Sequence, residues 1–470
     1  MGAVLKAAHR APGAGHRIEG ILVQGGTVWT PSGARRADIR VRGEAIVEIG
    51  ALAPGPHEQV IDAAGLHVLP GMIDVHVHVD DTVGQREVAD TFPTASELAV
   101  RTGVTTVAGF VTQRPGETLT DAVERCRARA HERSHCDVAF HLTPTVWPWD
   151  WAEVEGLVSA GFTTFKLYTT YRESGLFTSY DRFGVVMERL ASLGARLLVH
   201  CEDDGALATM DASGLDFSDP RTYAALRPEL AEVVAVERTL ELAARTGCGV
   251  HIVHVSTADA LARIAAARGR IAVTCETAPH YLRFSDAVLA EGHGHRYLCT
   301  PPLRGETTRV RLEADASAGS FDLFATDHCA FTRADKDARR DDIRAVPKGL
   351  AGIGALVPVL FELLVKRHHR PLGELALRLA ANPAKLLGVY PKKGAIAVGS
   401  DADLVLLDPN GLPHPVVSTL AAAYETYPGR TTTLNVCRVL LRGRVVVEDG
   451  ALAGARCPRG LSPCVGVATR

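Results

Sequence analysis

The sequence predicts an α/β fold, a (β/α)8 TIM-like barrel accompanied by a small β-sandwich domain formed from both chain ends. Two observations predict the barrel. Apolar strand segments that end in polar residues alternate with amphipathic helices, and eight such repeats occupy about 260 residues of the chain. A third observation predicts the sandwich, because short alternating segments with glycine-containing turns lie near both ends of the chain.

The two end segments have the texture of antiparallel strands. The first includes "ILVQGGTVWT", "ADIRVRGEAIVEIG" and "QVIDAAGLHVLP", and the second includes "GAIAVGSDADLVLLDP" and "NVCRVLLRGRVVVEDG". We therefore expect residues 1–66 to form the N-terminal half of the sandwich, 67–392 the barrel and 393–450 the C-terminal half. Residues 451–470 are rich in proline and glycine, and we expect an irregular tail there.

The middle of the chain supplies the barrel strands. In order, the candidates are "GMIDVHVHV", "TTVAGF", "DVAFHLTPT", "TFKLYT", "RLLVHCE", "VHIVHVS", "IAVTCETAP" and "DLFATDH". Helical segments such as "LTDAVERCRARAHE" and "AEVVAVERTLELAARTG" separate them. A doubly wound open sheet is the alternative, but no GxGxxG follows the first strand. The barrel predicts that the polar residues at the strand ends gather at one face.

Composition narrows the class of protein. The chain has 470 residues, is 46% hydrophobic and 22% charged, and carries a formal net charge of −3. This near-neutral charge balance gives no sign of a basic surface that would bind nucleic acid or a membrane. The N-terminus lacks the apolar core of a signal peptide, and the ten cysteines form no CxxC pair. These features predict a cytoplasmic protein with reduced thiols.

Polar residues of metal-binding type end five of the predicted strands. Strand one carries His76 and His78, whose spacing places both side chains on the same side of the strand. Imidazoles combined with a carboxylate suit Zn²⁺ and similar cations. A single strand-end histidine is more often an ordinary core or surface residue, but the joint occurrence in strand order favours a metal site. The full set is His76, His78, Lys166, His200, His254 and Asp327, with His251 upstream of His254.

Lys166 is the unusual member of this set. An ammonium at the inner mouth of a barrel is costly to bury, and it would repel a metal ion. As a carbamate formed with CO₂, the same side chain becomes an anion with two oxygens that can bridge two cations.

The motifs resemble those of the amidohydrolase superfamily, in the branch of hydantoinases, dihydropyrimidinases, allantoinases and dihydroorotases. The similarity extends over nearly the whole chain, through "GMIDVHVHVD", "TFKLYTTY", "LLVHCEDDG", "HIVHVSTADAL", "CTPPLR", "ATDHCAF" and "NPAKLLGVYPKKGAIAVGSDADLVLLDP". The resemblance implies a homotetramer and two divalent metal ions, with Zn²⁺ the expected metal. It implies a first metal held by His76, His78, Lys166 and Asp327, and a second held by carboxylated Lys166, His200 and His254.

The implied reaction is hydrolysis of a cyclic amide, of hydantoin or dihydropyrimidine type, to an N-carbamoyl amino acid. Two cations share one water and lower its pKa, so that a bridging hydroxide attacks the carbonyl. Asp327 is the expected general base and acid, and catalysis of this kind raises the rate roughly 10²–10⁴-fold. Tyr171 is the expected contact to the substrate and the oxyanion. His328 is a candidate neighbour of Asp327, although it could equally pack against a loop.

The substrate is less determined. Thr300 in "CTPPLR" and Lys348 in "VPKGLAGIG" occupy substrate-binding positions but differ from the usual serine and asparagine, and the GLAG run is more like allantoinase and dihydroorotase sequences. Dihydroorotases follow their HxH with a carboxylate-binding arginine, where this chain has Asp80 and Asp81. An acidic loop disfavours a carboxylate substrate, although Arg304 or Lys348 could supply positive charge.

Two other classes stay open as alternatives. A non-catalytic structural protein, like the collapsin response mediator proteins, would lack several metal ligands, and all six positions are filled here. A mononuclear deaminase of the same superfamily would lack the lysine of strand four. Lys166 argues against it.

Overall fold

The computed structural model describes residues 4–6, 20–30, 32–84, 86–131, 133–453 and 462–463. Strands are numbered in chain order, beginning with β1 (Val4–Lys6), β2 (Gly20–Thr30), β3 (Gly33–Arg42), β4 (Ala45–Gly50), β5 (Glu58–Asp62) and β6 (His67–Pro70). The middle of the chain contributes β7 (Met72–Asp74), β8 (Val77–His78), β9 (Thr82–Val83), β10 (Arg86–Glu87), β11 (Val104–Thr112), β12 (Asp137–Thr143), β13 (Thr164–Tyr168), β14 (Arg196–His200), β15 (Gly249–Ile252), β16 (Val273–Thr277), β17 (Leu323–Phe324) and β18 (His328–Cys329). The last strands are β19 (Leu404–Asp408), β20 (His414–Pro415), β21 (Thr431–Thr432), β22 (Asn435–Leu441), β23 (Arg444–Glu448), β24 (Ala451–Leu452) and β25 (Ser462–Pro463).

Helices follow most of the central strands. They are α1 (Phe92–Arg101), α2 (Leu119–Ala130), α3 (Trp151–Ser159), α4 (Tyr180–Ser192), α5 (Asp204–Ala208), α6 (Arg221–Ala225), α7 (Glu229–Thr246), α8 (Ala258–Ala267), α9 (Pro279–Arg283), α10 (Glu306–Ala318), α11 (Arg333–Asp337), α12 (Leu356–Leu360), α13 (Gly373–Ala376) and α14 (Asn382–Leu386). Short 3₁₀ turns cover Arg172–Ser174, Asp286–Ala290 and Gly294–Tyr297, and π-helical turns cover Phe361–Arg367 and Leu377–Ala381. In the described part of the chain, each helix is too short or too polar to cross a membrane.

The central strands form a parallel barrel. The order is β7, β11, β12, β13, β14, β15, β16 and β17, and β8 closes the ring by pairing in parallel with β18. These strands are buried along nearly their whole length, as expected for a parallel sheet covered by helices. The eight predicted strand segments lie on these strands, so the predicted barrel is confirmed.

The two chain ends meet in a second sheet, which we call the end sheet. Among the described residues it has nine strands in the order β24, β23, β22, β19, β6, β2, β3 and β4, with β5 beside β2. Most neighbours are antiparallel, but β2 runs parallel to β5 and β6. A separate sheet made from both chain ends is therefore confirmed. It also includes β6 and β24, whose residues were expected in the barrel and in the tail. The short strand β1 instead pairs with β12, and β25 pairs with β1.

Apolar side chains fill the barrel below its mouth. The cluster includes Ile73, Val75, Leu198, Val253 and Leu323, and Leu386 and Leu387 pack against it. Buried polar side chains also lie along the barrel strands, and His141 on β12, for example, contacts Thr164 Oγ1 and the carbonyl of Val75. At the entry to the first barrel strand, Gly71 passes so close to Thr105 and Asp403 that a side chain there would collide with both.

A buried charge cluster joins the barrel to the end sheet. Lys393 Nζ lies 2.7 Å from Asp137 Oδ2 on β12, 2.6 Å from Asp403 Oδ2 and 3.3 Å from Asp401 Oδ2. Burial acts to lower the pKa of Lys393, but these three carboxylates together raise it above its ordinary value. The lysine therefore stays charged and links residues of both sheets.

Eight cysteines in the described part are free, and seven of these are buried, which agrees with the expectation of reduced thiols. Cys457 and Cys464, with most of the predicted tail, lie outside the described residues.

The Lys393 cluster predicts a large effect on stability. Replacement of Lys393 by Met removes the buried cation that three carboxylates share, and we expect a loss of about 3–5 kcal/mol in the free energy of unfolding. Lys392→Met is the matched control. Its ammonium pairs with Asp401 at 3.1 Å, but its side chain is 48% exposed, so its loss should cost below about 1 kcal/mol. Denaturant unfolding of both variants tests the cluster, and equal unfolding midpoints would contradict it.

Candidate active site

A cavity of about 940 Å³ opens at the carboxyl ends of the barrel strands. All six side chains predicted to bind metal line it, and so do Tyr171, Thr300 and Lys348. The face and the depth of the cavity are those at which barrel folds place their functional residues.

His76, His78 and Asp327 form one group at the base of the cavity. Asp327 Oδ1 lies 3.3 Å from His76 Nε2 and 3.7 Å from His78 Nε2. One ligand atom from each of the three residues lies within 4.8 Å of the others, so the group could hold a metal ion. The pairing of β8 with β18 produces this geometry, because it places Asp327 directly beside the HxH segment.

His200 and His254 form a second group on neighbouring strands. His200 Nδ1 lies 2.9 Å from His254 Nε2, and the two rings meet edge to face with centroids 4.6 Å apart. The His254 ring also lies 5.5 Å from the His76 ring, so the two groups are adjacent.

Lys166 lies in the same buried region. Its Nζ is buried, has no hydrogen-bond partner among the described residues, and faces the rings of Phe110 and Tyr168 at 5.3 and 5.2 Å. Buried polar groups are nearly always hydrogen-bonded, so this orphaned amine requires a partner that protein atoms do not provide. Burial lowers the pKa of Lys166 to about 8, although Glu276 and Asp327 act to raise it.

The imidazoles of His76, His200 and His254 stay neutral at pH 7. Burial lowers the pKa of His76 to about 3 and that of His200 to about 4, and it takes the pKa of His254 well below its ordinary value. Burial also raises the pKa of Asp327 to about 6, against the effects of His78 and Lys166. Neutral imidazoles keep a lone pair available for a cation.

Glu276 and Glu202 are functional candidates that the sequence reasoning missed. Glu276 Oε1 lies 2.5 Å from His76 Nδ1, and its Oε2 lies 3.1 Å from His251 Nε2. Glu202 Oε2 lies 2.8 Å from His200 Nε2. A carboxylate on one ring nitrogen orients the imidazole and leaves the other nitrogen free for a metal. The signal was present in "CETAP" and "HCEDDG", where a glutamate lies on the predicted strand end.

The two aspartates after the HxH segment have different roles. Asp81 lines the cavity, and its Oδ2 lies 3.3 Å from His78 Nδ1. Asp80 turns away, accepts a hydrogen bond from the Phe92 amide at 2.7 Å and lies 3.3 Å from Arg133. The acidic surface that this loop presents to the cavity is therefore Asp81 alone.

The predicted substrate contacts surround the cavity. Tyr171 has a left-handed backbone (φ 72°), and its ring centroid lies 5.0 Å from that of His200. Thr300 Oγ1 lies 2.5 Å from Tyr223 Oη. Lys348 lines the cavity, but its Nζ donates to the carbonyls of Ile343, Arg344 and Val346, which holds its own loop together.

Two further sequence candidates lie outside the cavity lining. His328 Nδ1 accepts hydrogen bonds from the amides of Gly352 and Ile353, so its buried ring supports a loop. Arg304 donates to Ser256 and pairs with Glu232 at 3.3 Å, so it does not supply positive charge to the cavity.

The model of the amidohydrolase family matches residues 67–446 of the chain. The chain is 33% identical over 444 residues to a D-hydantoinase from Ralstonia pickettii, covering 92% of this chain and 96% of that protein. It is 34% identical over 460 residues to an allantoinase from Rubrobacter xylanophilus, covering 94% and 97%. The crystal structure of a dihydropyrimidinase from Brevibacillus agri superposes with a TM-score of 0.88 at 32% identity, covering 93% of this chain and 96% of that chain.

Proposed function

The chain belongs to the amidohydrolase family and is a cyclic amidohydrolase of the hydantoinase, dihydropyrimidinase and allantoinase type, and from this premise we propose its substrate class and the roles of its residues. The substrate is a hydantoin or a dihydropyrimidine, and the product is the ring-opened N-carbamoyl amino acid. The homotetramer that the resemblance implies stays a prediction.

The observation that carries this proposal is the buried amine of Lys166, which has no hydrogen-bond partner in the described part of the chain. It lies near enough to His76, His200 and His254 to act on the pKa of each. The neutral amine adds to CO₂, a carbon–nitrogen bond forms, and one proton is released. The resulting carbamate removes the buried positive charge and provides two anionic oxygens. A pKa near 8 makes the neutral amine more available than in an ordinary lysine.

The donor set fits two divalent cations, with Zn²⁺ suited to imidazole and carboxylate ligands. His76, His78, Asp327 and the Lys166 carbamate would hold the first, and His200, His254 and the same carbamate would hold the second. When bound, the cations supply Lewis-acid activation of water and of the scissile carbonyl.

Asp327 is the group that moves the proton. Its Oδ1 lies 3.3 Å from His76 Nε2, among the proposed cation ligands at the carboxyl ends of the strands. The carboxylate accepts a proton from that water and donates it to the ring nitrogen as the amide bond breaks. Proton transfer by a positioned carboxylate contributes roughly 10²–10⁴-fold.

Tyr171 stabilises the charge that develops on the carbonyl oxygen. Burial raises the pKa of Tyr171 well above its ordinary value, so its hydroxyl keeps its proton and can donate a hydrogen bond. Thr300, which contacts the hydroxyl of Tyr223, is the proposed contact to the substrate ring. The ammonium of Lys348 lies 5.0 Å from the centroid of the Tyr223 ring and donates to carbonyls of its own loop, so Lys348 shapes the same wall of the cavity.

Removal of Lys166 tests the proposed cation site. We expect Lys166→Ala to lose bound metal and to lose at least ~10²-fold in kcat/KM, because the bridging anion is absent. Short carboxylic acids should partly restore both, since they can occupy the space of the carbamate. Metal content per chain and turnover are measured with and without added acetate or propionate.

His254→Ala is the matched control for this rescue. It lacks an imidazole rather than a carboxylate, so the same acids should leave it inactive. Full activity in Lys166→Ala, or an active wild-type protein without divalent metal, would refute the two-cation proposal.

A turnover panel tests the substrate class. Metal-loaded protein is assayed with hydantoins, dihydrouracil, allantoin and dihydroorotate. We expect kcat/KM for a hydantoin or dihydrouracil to exceed that for dihydroorotate by at least ~10-fold, because Asp81 faces the cavity where a carboxylate clamp would be needed. Allantoin is the second candidate, favoured by the GLAG run and by the allantoinase relative. Preferential opening of dihydroorotate would contradict the proposal.

A further inference from the structure

Arg227 contacts both the carboxylate that holds His200 and the tyrosines of the cavity wall. It lies in the short link between α6 and α7, lines the cavity, and its side chain is 14% exposed. Its Nε and Nη2 donate to the two oxygens of Glu202 at 3.0 and 2.7 Å. Glu202 is fully buried, so this fork is a bidentate, desolvated ion pair.

The position of Glu202 determines which nitrogen of His200 is free. The same Oε2 that accepts from Arg227 also lies 2.8 Å from His200 Nε2. A carboxylate accepts hydrogen bonds, so Nε2 carries the proton and Nδ1 keeps its lone pair. Nδ1 is the nitrogen that faces His254 Nε2 at 2.9 Å. The fork of Arg227 thus holds the carboxylate that holds the imidazole.

The same guanidinium also supports the tyrosines of the cavity wall. Its central carbon lies 5.5 Å from the ring centroid of Tyr171 and 5.8 Å from that of Tyr223. Tyr223 in turn contacts Thr300 through its hydroxyl at 2.5 Å. One side chain therefore contacts the wall of the substrate cavity and, through Glu202, the second histidine group.

We infer that Arg227 is a positioning residue that fixes His200 for the second cation and fixes Tyr171 and Tyr223 for the substrate. The inference rests on the proposed function in taking His200 and His254 as cation ligands and Tyr171 as a contact to the substrate. Lysine cannot replace the arginine, because an ammonium lacks the planar fork that holds both carboxylate oxygens.

Cobalt titration of the metal-free protein tests the positioning role directly. We expect wild type to bind two Co²⁺ per chain, and Arg227→Met and Arg227→Lys to weaken one of the two by about 10–100-fold while the other is unchanged. The d–d absorption of bound Co²⁺ and the stoichiometry at saturation are the readouts. Arg238→Met is the matched control. It removes an arginine of α7 that pairs with the next carboxylate, Asp203, at 3.2 Å and does not contact His200, so both ions should bind as in wild type.

A double-mutant cycle identifies the ion affected. His200→Ala should lose the ion whose binding Arg227→Met weakens. Adding Arg227→Met to His200→Ala should then change the affinity of the remaining ion by less than about twofold. Glu276→Gln, which acts on His76, should instead weaken the ion that His200→Ala retains. An Arg227→Met effect on that retained ion, or no effect of Arg227→Met or Arg227→Lys on either ion, would overturn the inference.

Turnover kinetics complete the test and separate it from the proposed function. With hydantoin at saturating Co²⁺, Arg227→Lys should raise KM as well as lower kcat, because Tyr171 and Tyr223 lose their support. A wild type that binds two Co²⁺ but opens none of the cyclic amides refutes the proposed substrate class, while the cobalt result still decides the role of Arg227. An unchanged KM in Arg227→Lys would overturn the proposal that Arg227 fixes Tyr171 and Tyr223 for the substrate.

Discussion

The parallel pairing of β8 with β18 is the contact on which the site depends. It closes the barrel between the first and the last strand, in register Val77 to His328 and His78 to Cys329. Without this closure, Asp327 would lie at a free sheet edge, far in sequence from the histidines that it faces. His76 and Lys166 are buried in the closed barrel, and burial lowers the pKa of each.

The site contains strained backbone and buried polar groups that are unfavourable for folding, and contacts elsewhere in the chain offset this cost. Tyr171, His254 and Asp327 have positive φ values of 72°, 37° and 48°, which are unfavourable for residues other than glycine. The imidazoles of His76 and His200 are each held by a buried carboxylate, Glu276 or Glu202. The Lys393 cluster, which contains none of the site residues, connects the barrel to the end sheet.

The sequence was sufficient for the barrel and for the residues that gather at its mouth. Period-two spacing predicted that His76 and His78 face the same way, and strand order predicted that Lys166, His200, His254 and Asp327 join them. It was insufficient for Glu202 and Glu276, whose importance comes from which histidine ring nitrogen they contact, and for Arg227, whose importance comes from its contact with Glu202. No spacing in the chain encodes these contacts. Lys348 and Arg304 illustrate the same limit: a cation at the right position in the chain is directed at carbonyls or at a buried glutamate. The opposite orientations of Asp80 and Asp81 follow from the start of α1, where the Phe92 amide attracts the first of them.

The proposed chemistry depends on a carbamate on Lys166, and ¹³C NMR of protein loaded with metal in ¹³C-bicarbonate detects this group directly. We expect a protein-bound carbamate resonance in the wild type that is absent from Lys166→Ala and disappears when the metal is removed. An active, metal-loaded wild type without this resonance, or with the same resonance in Lys166→Ala, would contradict it.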